Sequence, residues 1–419
     1  YYYLGHLQTA ILTNATFSEP RWTYNLMAAT LPALCFSVLV SLAGFFTQST
    51  KRGALAAIFI LSAGTLEPLR QWFKPPENIE AAWPFGERVL DYMATSRVLP
   101  FAINEYPWFT FNYADLHAHY FSMPIALLVV SLALALRSYT VGESGWLSRP
   151  AIMTMLLTAL ALGAMIVTNT WDFPVYFALC ALMLCSSNVK LPDIRVLKSD
   201  ALWLRRAILA VTVLLIAIIA IAVASPFLLN LHSEARRPTP LQQPASPARS
   251  WLLMWGVFTF AWLWTLLRAS FENKMVRNGG IALVTMGILA WTLLRVSSGL
   301  SYFVLILLIV LLLWTAILAF YSQDKTEKIL ARIALCGLLS LLWSETTWSG
   351  FLGIPEQWGF EDYKRQDTVF KFGLQAWYLW GTAAICGLLR VWPRPEFMHQ
   401  RIFLHARWAF LIFVPIVFA

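Results

Sequence analysis

The chain has 419 residues, of which 59% are hydrophobic and only 13% are charged. So few charged groups cannot cover the water-facing surface of a soluble protein of this size, which excludes a soluble multidomain enzyme. The net charge of +9 does not indicate nucleic acid binding, because the basic residues are scattered among short segments between apolar runs. The composition therefore predicts a polytopic protein embedded in a lipid bilayer, with no nucleic acid partner.

The apolar runs have the length of membrane-spanning helices, whereas the strands of a barrel would appear as short alternating segments. We therefore predict an all-α integral membrane bundle of about eleven or twelve spans. The second span is too short to cross unaided, which favours a half-buried or re-entrant segment. The predicted spans are residues 24–47, 54–66, 121–137, 150–168, 173–187, 206–229, 251–268, 280–295, 301–321, 329–345, 371–390 and 404–419.

The charges of the intervening loops predict the orientation. If every segment crosses, one set of loops with its span ends carries 18 Lys or Arg and 7 Asp or Glu, whereas the opposite set carries 12 and 15. Because cytoplasmic loops retain Lys and Arg, the first set faces the cytoplasm. The long loops 67–120, 230–250 and 346–370 then lie on the outer face of a single transmembrane domain, residues 1–419. We expect the chain to be a piece of a longer protein, because it begins without Met and stops inside an apolar run.

The most polar and aromatic stretch, residues 96–124, contains Asp115, His117 and His119 at alternate positions. In an extended segment alternate side chains point the same way, so the three predict convergence on one ion or one proton. A carboxylate with two imidazoles suits a divalent metal, and either group type suits a general base. The alternative is that both histidines hydrogen-bond to lipid headgroups or backbone at the membrane interface.

Other candidate residues lie in the same predicted outer loops. Glu105 is either a second acid or a brace for its loop against Arg97. Asp172 lies in a tight turn almost at membrane depth, where an acid usually faces the bundle interior and has a partner; the alternative is a cap on the following helix. Tyr2 and Tyr3 either line a polar cavity or anchor the chain at the interface.

Three cations, Lys364, Arg365 and Lys371, lie on a predicted face that is otherwise poor in positive charge. Clustered cations are what a phosphate or pyrophosphate group needs. The alternative is a loop closed by salt bridges to Asp362 and Asp367.

Four motifs occur in order along nearly the whole chain. They are Tyr1-Tyr2-Tyr3 with Gly5, the run from Ser96-Arg97 through Asn104-Glu105-Tyr106-Pro107 to Asp115-Leu-His117-Ala-His119, Trp171-Asp172-Phe173-Pro174, and Thr368-Val369-Phe370-Lys371-Phe372. In these motifs the chain resembles the uncharacterised "YYY" family of hydrophobic membrane proteins from archaea and Chloroflexi-type bacteria. That family is similar to the GT-C class of glycosyltransferases. The chain departs from it at Ala118, where the family usually has Pro.

The resemblance implies a GT-C-like fold and a sugar transfer from a polyprenyl-phosphate-linked donor to an acceptor on the outer face of the cell membrane. It implies Asp115 or Glu105 as the base or as a ligand of Mg or Mn, with His117 and His119 orienting that acid or sharing the metal. The implied substrate contacts are Arg365, Lys371 and Lys364 for the phosphate, and Asp172, Tyr2 and Tyr3 around the acceptor. GT-C enzymes also carry an acidic residue in their first outer loop, upstream of where this sequence begins.

Two other functions remain open. A lipid or solute transporter would have charges lining a path through the bundle and discontinuous spans, but the spans here are poor in charge. A scaffold subunit of a larger membrane complex would have its outer polar clusters tied up in internal salt bridges.

Overall fold

The computed structural model describes residues 2–73, 91–100, 102–141, 148–185, 202–231, 239–241, 246–298, 302–348 and 365–391. The chain divides into two compact units, each considered by itself. Unit 1 comprises Tyr1–Leu42 and Thr110–Ser233, and unit 2 comprises Ala43–Phe109 and Glu234–Ala419. That the whole chain forms a single domain stays a prediction.

Helices dominate the described residues. They are α1 (Leu4–Thr16), α2 (Pro20–Thr47), α3 (Thr50–Ser62), α4 (Glu67–Phe73), α5 (Pro107–Tyr113), α6 (Ala118–Val141), α7 (Arg149–Asn169), α8 (Phe173–Cys185), α9 (Leu202–Leu228), α10 (Ala248–Glu272), α11 (Lys274–Ser298), α12 (Phe303–Tyr321), α13 (Lys325–Thr346) and α14 (Gln366–Val391), with a 3-10 helix at Met93–Ser96. Two-residue strands β1 (Thr239–Pro240) and β2 (Thr347–Trp348) pair antiparallel, with Thr239 opposite Trp348.

The predicted all-α polytopic bundle is confirmed. Nine helices in the described part of the chain are long and apolar enough to cross a membrane. The short second segment is α3, which with α4 forms a pair bent by 67°, either a broken span or a re-entrant loop. The short α8 coincides with predicted segment 173–187, and predicted segment 404–419 lies outside the described residues.

Unit 1 contains a helix that the hydropathy pattern does not predict. Helix α1 has only 13 residues and packs against α7. Its threonine hydroxyls hydrogen-bond to backbone carbonyls of the preceding turn; that of Thr9, for example, donates to the Gly5 carbonyl at 3.0 Å. Gly5 lies against the ring of Phe121 in α6, so closely that a Cβ there would come within 2.2 Å of a ring carbon. The glycine of the tyrosine motif therefore allows α1 to pack on α6.

Unit 2 is built around α13 and α14. Helix α14 is the most buried of the candidate spans that the structure describes. It packs against α13, α10 and α3, and the indole of Trp377 donates to the carbonyl of Ile60 at 2.9 Å. Trp377 also lies edge-on to Phe258 of α10, with ring centroids 4.7 Å apart. A dense aromatic core thus joins α10 to α14.

The contact between α13 and α14 depends on Gly337. A Cβ at this position would lie 2.7 Å from the backbone nitrogen of Trp380, and backbone cannot move aside cheaply. We expect Gly337→Ala to lower the free energy of unfolding by about 1–3 kcal/mol, because overpacking forces the helices apart. The measurement is the thermal unfolding midpoint in detergent.

The control is Gly373→Ala on α14, where the nearest atom to a new Cβ, on Trp255, is 3.9 Å away. This variant should keep or raise the midpoint, since alanine favours a helix more than glycine does. Equal midpoints for the two variants would contradict the close approach at Gly337.

Candidate functional site

The loop at residues 114–117, between α5 and α6 in unit 1, is fixed from both sides. Leu116 is buried with 1% exposure, and its N–H donates to the phenol oxygen of Tyr24 at 3.1 Å. Ala114 lies in the left-handed region at φ 54°, and its N–H donates to the carbonyl of Thr110 at 3.0 Å. Tyr120 in the first turn of α6 donates to the carbonyl of Ala28 at 2.6 Å. The loop therefore has one defined conformation.

Asp115 and His117, on either side of the buried Leu116, form a hydrogen-bonded dyad. Asp115 Oδ2 lies 2.9 Å from His117 Nδ1, and the two side chains are 49% and 64% exposed, respectively. The backbone N–H of His117 also donates to the carbonyl of Asp115 at 2.7 Å. A carboxylate and an imidazole held together at the start of a membrane span can accept or pass on a proton.

His119 does not continue an extended segment, so that interpretation of the alternating pattern is wrong. Helix α6 begins at Ala118, which places His119 in the first helical turn, where it is buried at 8% exposure. Its ring centroid lies 5.7 Å from that of His117. Among the residues that the structure describes, no three or more His, Cys, Asp or Glu side chains are grouped to hold a metal ion.

Asp172, also in unit 1, lies in the interior with 1% exposure. Its carboxylate accepts from the Ser122 hydroxyl at 2.5 Å and from the Asn169 amide at 2.8 Å. Its carbonyl accepts the backbone N–H of Val175 and of Tyr176 in the first turn of α8. The buried acid thus joins the start of α6 to the turn between α7 and α8.

The two predicted tyrosines lie beside the end of α9 in unit 1. The Tyr2 ring stacks on Phe227 at a centroid distance of 5.9 Å, and Tyr3 is 48% exposed with its ring 6.0 Å from the same phenylalanine. Burial raises the pKa of Tyr2; hydrogen bonds with Thr170 oppose this, and the nearby charge of Asp172 adds to it. The tyrosine motif and the motif containing Asp172 therefore meet in the fold, although they lie far apart in the sequence.

The Asn-Glu-Tyr-Pro motif anchors a loop of unit 2. Asn104 is buried at 2% exposure, accepts the N–H of Leu99 at 2.9 Å and donates its own N–H to the carbonyl of Ser96 at 3.0 Å. Glu105 beside it is half-buried. Burial raises the pKa of Tyr92 to about 12, and the neighbouring Tyr106 and the charge of Glu105 add to this shift.

Arg365, at the start of α14 in unit 2, is buried and paired with a residue that sequence reasoning missed. Its Nη2 lies 3.1 Å from Oε2 of Glu345 and donates to the carbonyl of Ser344 at 3.0 Å. The Ser246 hydroxyl bonds to Glu345 Oε1 at 2.8 Å and accepts from Arg365 Nη1 at 3.3 Å. Burial lowers the pKa of Arg365, and the charge of Glu345 raises it. The group ties α13 to the starts of α10 and α14.

The other predicted cations differ in position. Lys371 lies six residues further along the chain, in α14, and is half-buried, with its Nζ 5.9 Å from the ring centroid of Phe370. Lys364 lies outside the described residues, as does Asp362, one of the salt-bridge partners predicted for this loop.

The profile of a family described as uncharacterized membrane protein (DUF2298) matches residues 1–380. The chain belongs to the DUF2298 family. Neither a curated protein nor a solved structure matches it.

In this DUF2298 protein the candidate residues divide between the units. Unit 1 brings Asp115 and His117 together and places Tyr2 near Asp172, whereas unit 2 holds Glu105, Arg365 and Lys371. One signal for the missed residue Glu345 was available, since an acid at the end of an apolar span usually has a specific partner. Its partner could not be read from the sequence, because Arg365 and Ser246 are distant along the chain.

The stability of this DUF2298 protein should depend on the buried pair of Arg365 and Glu345. Removing Arg365 as Arg365→Ala leaves Glu345 buried without its cation, which we expect to cost about 3–5 kcal/mol of stability. The double variant Arg365→Met with Glu345→Leu should be more stable than the single one, because neither charge is then left alone. The measurement is thermal unfolding of the purified protein in detergent.

The matched control is Arg21→Ala. Arg21 pairs with Glu19 on the surface, where the side chains are 73% and 61% exposed, so its loss should change the midpoint little. A midpoint for Arg365→Ala as high as that of Arg21→Ala would contradict the buried pair.

Proposed function

We propose that this DUF2298 protein is a GT-C-type membrane glycosyltransferase that moves a sugar from a polyprenyl-phosphate-linked donor to a hydroxyl group on the extracytoplasmic face of the cell membrane. The supporting observation is the Asp115–His117 dyad, half-exposed on a fixed loop directly before span α6. A proton acceptor at a membrane rim suits a reaction between a lipid-linked donor and a hydroxyl reached from water. The order of the four sequence motifs, through the resemblance to GT-C enzymes, also supports this proposal.

The proposed reaction is one displacement. The acceptor hydroxyl gives its proton to the dyad, and its oxygen bonds to the anomeric carbon of the sugar. The bond from that carbon to the phosphate oxygen breaks, and its electron pair leaves with the lipid phosphate. Holding both substrates in place and stabilising the charge on the leaving phosphate supply the rate enhancement.

The cations have unequal roles in this proposal. Arg365 is already paired with Glu345, so it holds α13 against α14. Lys371 is the proposed phosphate contact within the described part of unit 2, and Lys364, which lies outside the described residues, is proposed for the same role. Asp172, Tyr2 and Tyr3 line the acceptor side, and Glu105 is a supporting acid.

A divalent ion stays a prediction, and in the structure the side chains of Asp115, His117 and His119 are not grouped to hold one. The donor set fits Mg²⁺ poorly, because that ion prefers oxygen ligands, and two imidazoles with one carboxylate suit Mn²⁺ better. No step above requires the ion.

One observation favours each alternative function. The internal Arg365–Glu345 pair is what a scaffold subunit of a membrane complex would show. The bent pair α3–α4 resembles the discontinuous spans of transporters.

The test uses the protein in proteoliposomes with a panel of radiolabelled polyprenyl-phosphate hexoses and a membrane extract as the source of acceptors. We expect label to leave the lipid fraction with the wild type. The rate should fall by about 10²–10⁴-fold with Asp115→Ala, because the dyad no longer takes the proton. A parallel assay with a chelator reports whether a divalent ion is needed.

The control is Glu19→Gln, which alters an exposed acid outside the proposed site and should transfer at the wild-type rate. If the wild type transfers sugar from none of the donors, the proposal is wrong. Equal rates for the wild type and Asp115→Ala would remove the role of the dyad.

A further inference from the structure

The geometry of the dyad indicates which atoms of Asp115 and His117 hold the shared proton and which atom can accept another. A carboxylate only accepts hydrogen bonds, so the 2.9 Å contact with Asp115 requires the proton of His117 to lie on Nδ1. In the neutral imidazole the lone pair is then on Nε2, at the opposite side of the ring. With the His117 side chain 64% exposed, the pair leaves a proton-accepting nitrogen turned away from Asp115.

The loop that presents this pair costs free energy. Ala114 lies in the left-handed region at φ 54°, a strain on the order of 1–3 kcal/mol for a residue other than glycine. An exposed ion pair returns only about 0–1 kcal/mol. The stability gained from the dyad therefore does not account for the strained loop, and strain of this kind clusters at functional sites.

The loop also restricts the ring. Leu116 is the inward anchor between the two outward side chains, with its N–H on Tyr24. The N–H of His117 bonds to the carbonyl of Asp115, which fixes the backbone next to the ring. The other histidine of this stretch, His119, is buried in α6 and so is less accessible to an acceptor in water. Only one imidazole of this stretch is both oriented and exposed.

We infer that Nε2 of His117 is the proton acceptor of the transfer reaction and that Asp115 is its positioning residue. This inference rests on the proposed glycosyltransferase function and assigns the proton within it. The acceptor O–H proton moves to Nε2 as the oxygen bonds to the anomeric carbon, and the phosphate leaves with the electron pair of the broken bond. Asp115 keeps Nδ1 protonated and stabilises the imidazolium that forms.

Chemical rescue tests this assignment. His117→Gly should lower kcat by about 10²–10⁴-fold with little change in KM for the donor, and added imidazole should restore part of the rate. Asp115→Asn should lower kcat by about 10²–10⁴-fold, because the amide of Asn can donate to Nδ1 and so leaves the ring proton on Nε2, where it blocks proton acceptance. Asp115→Ala is the control for rescue, since free imidazole cannot replace a carboxylate. Unfolding midpoints equal to that of the wild type show that each variant is folded.

Several outcomes separate the alternatives. A His117→Gly variant that keeps its rate while Asp115→Ala loses it would make Asp115 the base, overturning this assignment while leaving the glycosyltransferase intact. Rescue by imidazole that a chelator abolishes would make His117 a metal ligand and would also overturn the assignment. A wild type inactive with every donor would remove the function and the assignment together.

Discussion

The pairing of Glu345 with Arg365 shows the constraint on which unit 2 depends, namely that charge removed from water must be neutralised by the protein itself. Helix α13 has such a pair at each end, Glu345 with Arg365 at one and Glu327 with Arg268 of α10 at the other, where the side-chain atoms are 3.2 Å apart. Between them the helix packs on α14 through Gly337. The two pairs fix which helices meet at the ends of α13, and the aromatic core fills the space between α10 and α14.

The same constraint sets the Asp115–His117 dyad apart from the other polar groups. Asp172 and Arg365 are buried, and each is held by an internal partner, Ser122 for Asp172 and Glu345 for Arg365. The dyad is half-exposed and gains little stability from its own bond, yet a strained alanine and a buried leucine hold it in one conformation. This pre-organisation without a stability gain is the physical reason that we propose the chemistry at the dyad.

Hydropathy predicted the positions of the long helices, because about twenty apolar residues are what a span needs. The short helices α1 and α5 could not be predicted in the same way, since they have 13 and 7 residues and mix polar with apolar side chains. Prediction of the site failed where it depended on helix boundaries. Placing the start of this span at residue 121 made His119 part of an extended segment, whereas α6 begins at Ala118. Partners distant in sequence, such as Ser122 for Asp172, leave no local signal.

The charges of the loops predict that the Asp115–His117 dyad and the start of α14, beside Arg365 and Lys371, face water on the same, extracytoplasmic side. The direct measurement is labelling with a membrane-impermeant maleimide in intact cells, after replacement of the five native cysteines. Cysteines are placed at His117, at Asp367 and, as the control for the predicted cytoplasmic side, at the exposed Gln323. We predict that positions 117 and 367 are labelled in intact cells and that position 323 is labelled only after permeabilisation. Labelling of 117 and 367 from opposite sides would contradict the account.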